Sequence, residues 1–220
     1  MHRACLIALA AASLTAWTSN ADAVSRGPRR ATVDTVIVHT ISGPDHTCRK
    51  GRVEFSGAPG DAARWKRFFE RHPFLSIHYV IDREGRIAAS VPELQIANHA
   101  LDNNDTSVGI ELVHQGDGVE PFPKAQIDAL IRLVRDIRKR HTIPLENVKG
   151  HSDVDTRTFR CGGRIEKRKQ DPGANFPWPQ VRAALAGRRP VVPVALTDTP
   201  VKGRAGAGLG LKRSLSAPLR

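Results

Sequence analysis

Two histidines and one aspartate of this chain combine the ligand types of a catalytic zinc site. His39 ends an apolar segment, His151 follows a glycine in Lys-Gly-His-Ser-Asp, and Asp171 lies in Lys-Gln-Asp-Pro-Gly. Two imidazoles and one carboxylate leave the fourth position of a tetrahedral zinc ion open for water. The three residues are far apart in the chain, however, and nine histidines are present. Spacing alone therefore does not single out this set.

The elements that must position these residues alternate between strands and helices. β-Branched runs and period-two alternation predict five strands, at 33–39, 78–82, 87–91, 108–113 and 145–150. Apolar spacing of three and four predicts three helices, at 61–71, 123–140 and 177–186. The turn at 82–86 makes the second and third strands a hairpin, so the sheet is mixed. We expect an α/β fold, a single domain with a central mixed β-sheet flanked by helices.

Length and composition fit one globular domain with extra terminal segments. The chain has 220 residues, of which 40% are hydrophobic and 25% charged, which is ordinary for a water-soluble domain. Its one long apolar run is at the N-terminus, so a multi-pass membrane protein is excluded. The predicted domain spans residues 24–187, and residues 40–60 are expected to form a long loop.

The N-terminus has the pattern of a secretory signal peptide over residues 1–23. A basic start precedes an apolar stretch of about fourteen residues, too short to span a bilayer, and Ala21-Asp22-Ala23 matches the cleavage pattern. We therefore expect an exported protein, periplasmic or secreted, without integral membrane association. Export leaves Cys48 and Cys161 in an oxidising compartment, which favours a disulfide between them over two free thiols.

The positive charge is concentrated near the C-terminus. The formal net charge is +12, and residues 188–220 contain seven Lys/Arg and one Asp. This basic tail lacks hydrophobic periodicity and is predicted to be disordered. A basic chain often binds nucleic acid, but an exported one rarely meets it, so cell-wall polymers and membrane surfaces are the expected polyanions. Simple solubility explains the charge equally well.

Five stretches resemble the zinc N-acetylmuramoyl-L-alanine amidases of the amidase-2 group, which are related to peptidoglycan recognition proteins and T7 lysozyme-like amidases. They occur in the family's order and cover roughly residues 33–186. The matching stretches are Thr35-Val-Ile-Val-His39-Thr, Ser76-Ile-His-Tyr-Val-Ile-Asp-Arg-Glu-Gly85, Asn104-Asp-Thr-Ser-Val-Gly-Ile-Glu111-Leu, Gly150-His-Ser-Asp153 and Lys169-Gln-Asp-Pro-Gly173. The resemblance implies the fold of those proteins and hydrolysis of the bond between N-acetylmuramic acid and L-alanine.

The resemblance also assigns roles to individual residues. His39, His151 and Asp171 match the family's ligands for one Zn²⁺ ion, and Glu111 and Lys169 match its catalytic carboxylate and lysine. Chemically, Glu111 would move a proton between water and the leaving amine. Lys169 would stabilise the oxyanion together with the metal.

Further residues are predicted with weaker support, and some depart from the family pattern. His99, Ser107 and Arg157 are candidates for substrate contact. The segment between His151 and Asp171 is longer than in many relatives and contains Cys161, so a Cys48–Cys161 disulfide would join two loops beside the metal. Ile77 replaces a tyrosine that is catalytic in T7-type relatives, and its role would then fall to Glu111.

The leading interpretation is therefore an exported amidase acting on peptidoglycan or muropeptides, without a nucleic acid partner and as a monomer. A non-catalytic peptidoglycan-binding module of the same fold is the main alternative, and it usually lacks a zinc ligand. The chain retains the matched ligands, which favours the enzyme. An effector secreted against rival cells would use the same chemistry and stays open.

Overall fold

The structure is a computed structural model, and it describes residues 25–41 and 47–188. In chain order the elements are β1 (Thr35–Thr40), β2 (Cys48–Arg49), β3 (Arg52–Val53), α1 (Ala62–Arg71), β4 (Tyr79–Ile81), β5 (Ile87–Ala89), β6 (Ser107–Leu112), α2 (Lys124–His141), a 3₁₀ turn (Leu145–Asn147), β7 (Val148–Gly150), α3 (His151–Val154), β8 (Thr158–Cys161), β9 (Arg164–Lys167) and α4 (Trp178–Leu185). The predicted signal peptide 1–23 and nearly all of the predicted tail 188–220 lie outside the described residues.

The central sheet has five strands in the order β5-β4-β6-β1-β7. β1 pairs in parallel with β6 and with β7, β4 pairs in parallel with β6, and β4 and β5 form the antiparallel hairpin. The prediction of a mixed sheet is therefore confirmed. Every residue of β1 is buried, as expected for the middle of a sheet covered on both faces.

Helix α2 covers one face of the sheet with the apolar stripe predicted from the sequence. Its stripe residues pack with inward-facing residues of β1 and β6 in the main core; these are Ile127, Leu130, Val134, Ile137, Val36, Val38, Ile110 and Leu112. Each such fully buried side chain contributes roughly 1.5–3 kcal/mol. The helix begins at Lys124, one residue after the predicted start at Pro123, and ends where Thr142 adopts the left-handed conformation.

Helix α1 packs against β4 and β5 and belongs to a second, smaller core. The Asp61 side chain accepts a hydrogen bond from the backbone N–H of Arg64 at 2.8 Å and so caps the start of this helix. Of the two adjacent phenylalanines in this helix, only Phe69 belongs to that core. Phe69 is buried whereas Phe68 is 43% exposed, because adjacent helical residues point about 100° apart.

Two small hairpins, β2–β3 and β8–β9, lie outside the central sheet. The first occupies part of the region predicted as a loop over 40–60, and the second fills the long segment between His151 and Asp171. A disulfide joins Cys48 to Cys161, as predicted. Gly51 and Gly162 also touch at the two turns, where an added Cβ on Gly162 would lie 2.1 Å from the Gly51 carbonyl oxygen.

Within residues 25–41 and 47–188, no helix combines the length and the apolar character needed to cross a bilayer.

Candidate active site

The topology brings two of the predicted ligands to one edge of the sheet. His39 is near the carboxyl end of β1, and His151 follows the last residue of the neighbouring parallel strand β7. Carboxyl ends of parallel strands meet at the same edge, where α/β proteins place their sites. Asp171 comes to this edge from the segment after β9, and its carbonyl oxygen accepts a hydrogen bond from the Ser152 N–H at 3.0 Å.

The three side chains form a nearly equilateral triangle of ligand atoms. The Nδ1 atoms of His39 and His151 are 3.0 Å apart, and Asp171 Oδ2 lies 3.1 Å from His39 Nδ1 and 3.2 Å from His151 Nδ1. A tetrahedral ion with bonds of about 2.0–2.1 Å requires ligand atoms roughly 3.3 Å apart. All three residues are buried. The arrangement therefore fits a metal ion with three protein ligands and one open position.

The electrostatics of the triangle keep His39 neutral and Asp171 ionised. Burial, followed by the neighbouring His151, lowers the pKa of His39 to about 4. Burial alone would raise the pKa of Asp171, but its contacts with His151 and His39 hold it far below the usual range. Asp171 Oδ1 is buried with no hydrogen-bond partner among the described residues. Neutral imidazoles and an ionised carboxylate are the forms that bind metals.

Glu111 lies directly beside the triangle. In the parallel pairing of β1 with β6 it is the register partner of His39. Its Oε2 atom is buried and has no hydrogen-bond partner within the described residues. Burial and the Asp171 charge raise the pKa of Glu111 well above its ordinary value, while Lys169 opposes that rise. A carboxyl group in such a position can take up and release a proton.

Lys169 is close enough to act electrostatically on the same groups. Its charge lowers the pKa of both Glu111 and His39. The two predicted catalytic residues and the three predicted ligands thus belong to one cluster.

His99 and Ser107 lie behind the triangle. His99 Nδ1 is 3.0 Å from His39 Nε2, and His99 Nε2 is 3.3 Å from Ser107 Oγ. Ser107 is fully buried, so its side chain offers no surface to a substrate in this structure. Sequence reasoning did not predict that His99 contacts His39 or that Ser107 contacts His99.

Arg157 lies on the surface next to a buried carboxylate. Its guanidinium donates to both oxygens of Asp155 at 2.8 Å, and Arg168 Nε donates to the same group at 2.9 Å. The hydrogen bonds from Arg157 outweigh burial and hold the pKa of Asp155 far below its usual range. Sequence reasoning missed this cluster, although an acidic residue followed by Arg-rich sequence is a usable sign of one.

A groove of about 450 Å³ borders the site. Ser152 and Gln170, which neighbour His151 and Asp171 in sequence, line one part of it. Phe55, Trp178 and Lys167 are also in its wall. Asp117 and Glu166 line it as well, so the groove offers apolar, polar, basic and acidic surface near the candidate metal ligands.

The chain matches a known family over most of its described length. Residues 29–174 match the family Amidase_2, described as N-acetylmuramoyl-L-alanine amidase. The three candidate ligands and the two predicted catalytic residues all fall within that range.

Individual relatives agree with the family match. The N-acetylmuramoyl-L-alanine amidase AmiD of Escherichia coli is 36% identical over 156 residues, which is 54% of this chain and 53% of that protein. The 1,6-anhydro-N-acetylmuramyl-L-alanine amidase AmpD of Salmonella typhimurium is 31% identical over 168 residues, 69% of this chain and 80% of that protein. The chain thus spans about half the length of the first relative and most of the second.

A solved structure supports the same conclusion. The complex of Escherichia coli AmiD with anhydro-N-acetylmuramic acid-L-Ala-D-γ-Glu-L-Lys has a TM-score of 0.52 and 28% identity, over 75% of this chain and 62% of that one. Family match, relatives and fold agree, and the chain belongs to the N-acetylmuramoyl-L-alanine amidase family Amidase_2.

Proposed function

We propose that this protein is a zinc-dependent amidase that hydrolyses the bond between N-acetylmuramic acid and L-alanine in peptidoglycan or muropeptides. The observation that carries the proposal is the triangle of His39, His151 and Asp171 ligand atoms in a chain of the amidase family. The substrate class follows from the relatives, one of which is solved with an anhydromuramyl peptide.

The donor set favours zinc among the common metals. Two imidazole nitrogens and one carboxylate oxygen in tetrahedral positions are typical of zinc hydrolases. Magnesium and calcium prefer oxygen ligands and higher coordination numbers. When bound, zinc supplies a Lewis acid for the amide carbonyl and a water of pKa about 7.

Two residues beside the metal ligands would carry out proton transfer and stabilisation of the oxyanion. Glu111 accepts a proton from the attacking water and then donates it to the nitrogen of the leaving L-alanine. The carbonyl carbon gains the water oxygen as the C–N bond breaks, which gives a lactyl carboxylic acid and a free amine. The ammonium group of Lys169 stabilises the negative charge that develops on the carbonyl oxygen.

Mass spectrometry of products from defined muropeptides tests this proposal. We expect a free stem peptide beginning with L-alanine and a sugar with a free lactyl carboxylate. A chelator should stop the reaction, and added zinc should restore it. Hydrolysis at another bond, or turnover that persists in chelator, would contradict the proposal.

The non-catalytic alternative predicts a different outcome in the same assay. A binding module would retain muropeptide without releasing products, whether or not zinc is present. The complete triangle of candidate ligands favours the enzyme, as does a buried Glu111 oxygen that has no hydrogen-bond partner among the described residues.

We further propose that the protein is exported after removal of residues 1–23 and acts as a monomer on the cell wall. N-terminal sequencing of the periplasmic protein should find Val24 as the first residue. Deleting residues 188–220 should weaken sedimentation with purified sacculi while leaving turnover of soluble muropeptides unchanged. Unchanged sedimentation would remove the wall-binding role of the tail.

A further inference from the structure

A continuous series of hydrogen-bond contacts runs from a backbone carbonyl to the candidate metal ligand His39. Ser107 Oγ donates to the carbonyl oxygen of Asn103 at 2.6 Å. His99 Nε2 lies 3.3 Å from Ser107 Oγ. On the other side of the same ring, His99 Nδ1 lies 3.0 Å from His39 Nε2.

The carbonyl at one end fixes the direction of every bond in the series. A carbonyl oxygen only accepts, so the single hydroxyl proton of Ser107 is used at Asn103. Ser107 Oγ can then only accept, and His99 Nε2 must carry the proton that it receives. A neutral His99 therefore has its lone pair on Nδ1, and that atom accepts from His39 Nε2–H.

The consequence reaches the ligand atom of His39. A neutral imidazole carries one proton, and a proton on Nε2 leaves Nδ1 with a free lone pair. Nδ1 is the atom that faces His151 Nδ1 and Asp171 Oδ2. The hydrogen-bond direction that begins at the Asn103 carbonyl thus leaves the Nδ1 lone pair of His39 free to bind a metal.

The surroundings of His99 support this arrangement. Gly109 of β6 makes room for the ring, since an added Cβ there would lie 2.5 Å from His99 Nδ1. Ser107 is fully buried, so water does not replace its contact.

We propose that His99, backed by Ser107, is a positioning residue that selects the tautomer and orientation of His39 for metal binding. The substrate contact predicted for His99 and Ser107 stays a separate prediction. The inference rests on the proposed metal site but not on the proposed reaction. Its competitor is the other tautomer, in which His39 Nδ1–H donates to Asp171 Oδ2 at 3.1 Å.

Zinc affinity, measured by competition with a chromophoric chelator, tests the proposal without an activity assay. His99→Ala removes the acceptor, and we expect it to weaken zinc binding about 10- to 100-fold, as loss of such partners does. His99→Asn retains an oxygen where Nδ1 lies and should restore most of the affinity. Equal affinities of the Ala and Asn variants would overturn the proposal.

The serine gives a second comparison with a matched control. Ser107→Ala should weaken zinc binding about two- to tenfold, the effect of one neutral hydrogen bond. Ser90 is also buried, but its hydroxyl has no hydrogen-bond partner among the described residues. Ser90→Ala should leave zinc affinity unchanged. A Ser107→Ala protein with wild-type affinity would limit the positioning role to His99.

Imidazole ¹⁵N NMR of the metal-free protein reads the tautomer directly. We expect His39 to carry its proton on Nε2 in the wild type and to shift toward Nδ1–H in His99→Ala. Protonation of Nδ1 in the wild type would refute the inference. A wild-type protein that binds no zinc would instead refute the proposed function, so the two failures are distinguishable.

Discussion

Glu111 and His39 are register partners on adjacent parallel strands. Because paired residues of parallel strands point to the same face, both side chains lie on the face opposite Val38 and Ile110, which pack in the main core. The pairing thus places the proposed proton-transfer group beside a candidate metal ligand through backbone hydrogen bonds. A one-residue slip of β6 would send Glu111 into the apolar core.

Replacing Glu111 by glutamine should abolish most of the turnover while leaving the metal site intact. The amide keeps the shape of the side chain but cannot accept the proton from water. We expect kcat on a defined muropeptide to fall about 10²- to 10⁴-fold, with zinc affinity within a few-fold of wild type. Glu84→Gln, on the exposed turn between β4 and β5, serves as the control and should retain full activity. Wild-type turnover by Glu111→Gln would remove the residue from the mechanism.

Zinc should stabilise the folded protein measurably. The triangle holds two lone pairs and one negative charge within 3.2 Å of one another, and a cation relieves that repulsion. Zinc at 100 times its Kd should raise the free energy of unfolding by about 2.7 kcal/mol.

Thermal unfolding with chelator and with added zinc measures this difference. The His151→Ala protein is the control, because it lacks one ligand and should show a much smaller zinc-dependent shift. A wild-type Tm that does not respond to zinc would argue that the triangle binds no metal.

The spacing of apolar and β-branched residues along the chain was enough to predict the main helix and the central strand. Helix α2 carries its apolar stripe at regular spacing, and β1 is a run of β-branched residues. The hairpin β8–β9 was missed because its strands are mostly exposed and pair only with each other, so no alternation of apolar residues marks them.

The side-chain contacts within the site could not be predicted, because they form between segments that are distant in the sequence. The resemblance identified His99 and Ser107 as candidates, but which atoms they face depends on how the 98–104 loop packs over Gly109. Similarly, Arg168 reaches Asp155 only because the β8–β9 hairpin folds back, which brings the Arg168 N–H to the Arg157 carbonyl oxygen at 2.8 Å.

Loss of the disulfide should destabilise the domain. The Cys48–Cys161 bond spans a sequence separation of 113 residues, and closing a loop of that size restricts the unfolded chain by about 4–5 kcal/mol in the chain-entropy model. The Cys48→Ser/Cys161→Ser protein should therefore unfold at lower urea concentration. Wild type in strong reductant should match the double variant, and the variant itself should not respond to reductant. Equal urea midpoints for wild type and variant would contradict the expectation.

Stability should fall at acidic pH partly through Glu93. Its carboxylate accepts hydrogen bonds from Tyr79 at 2.6 Å, Arg140 at 2.6 Å and His141 at 2.6 Å. Burial would raise the pKa of Glu93, but these partners prevail and lower it to about 2 from an ordinary value of 4.5. A carboxyl group whose folded pKa is depressed stabilises the protein above its unfolded pKa and loses that effect as pH falls toward the folded value.

Comparing wild type with Glu93→Gln by urea unfolding at pH 7 and pH 3 isolates this contribution. After allowance for solvent screening, we expect the free energy of unfolding of the wild type to exceed that of the variant by on the order of 1–2 kcal/mol at pH 7. This difference in the free energy of unfolding should be smaller at pH 3. At that pH Glu93 is protonated in the unfolded chain but still largely ionised in the folded protein, so unfolding is favoured by proton uptake. A gap that is the same at both values would mean that Glu93 contributes through packing of its side chain rather than through its charge. Glu84→Gln should show no gap at either pH, since the side chain of Glu84 is 63% exposed and its pairing with Arg86 is screened by water.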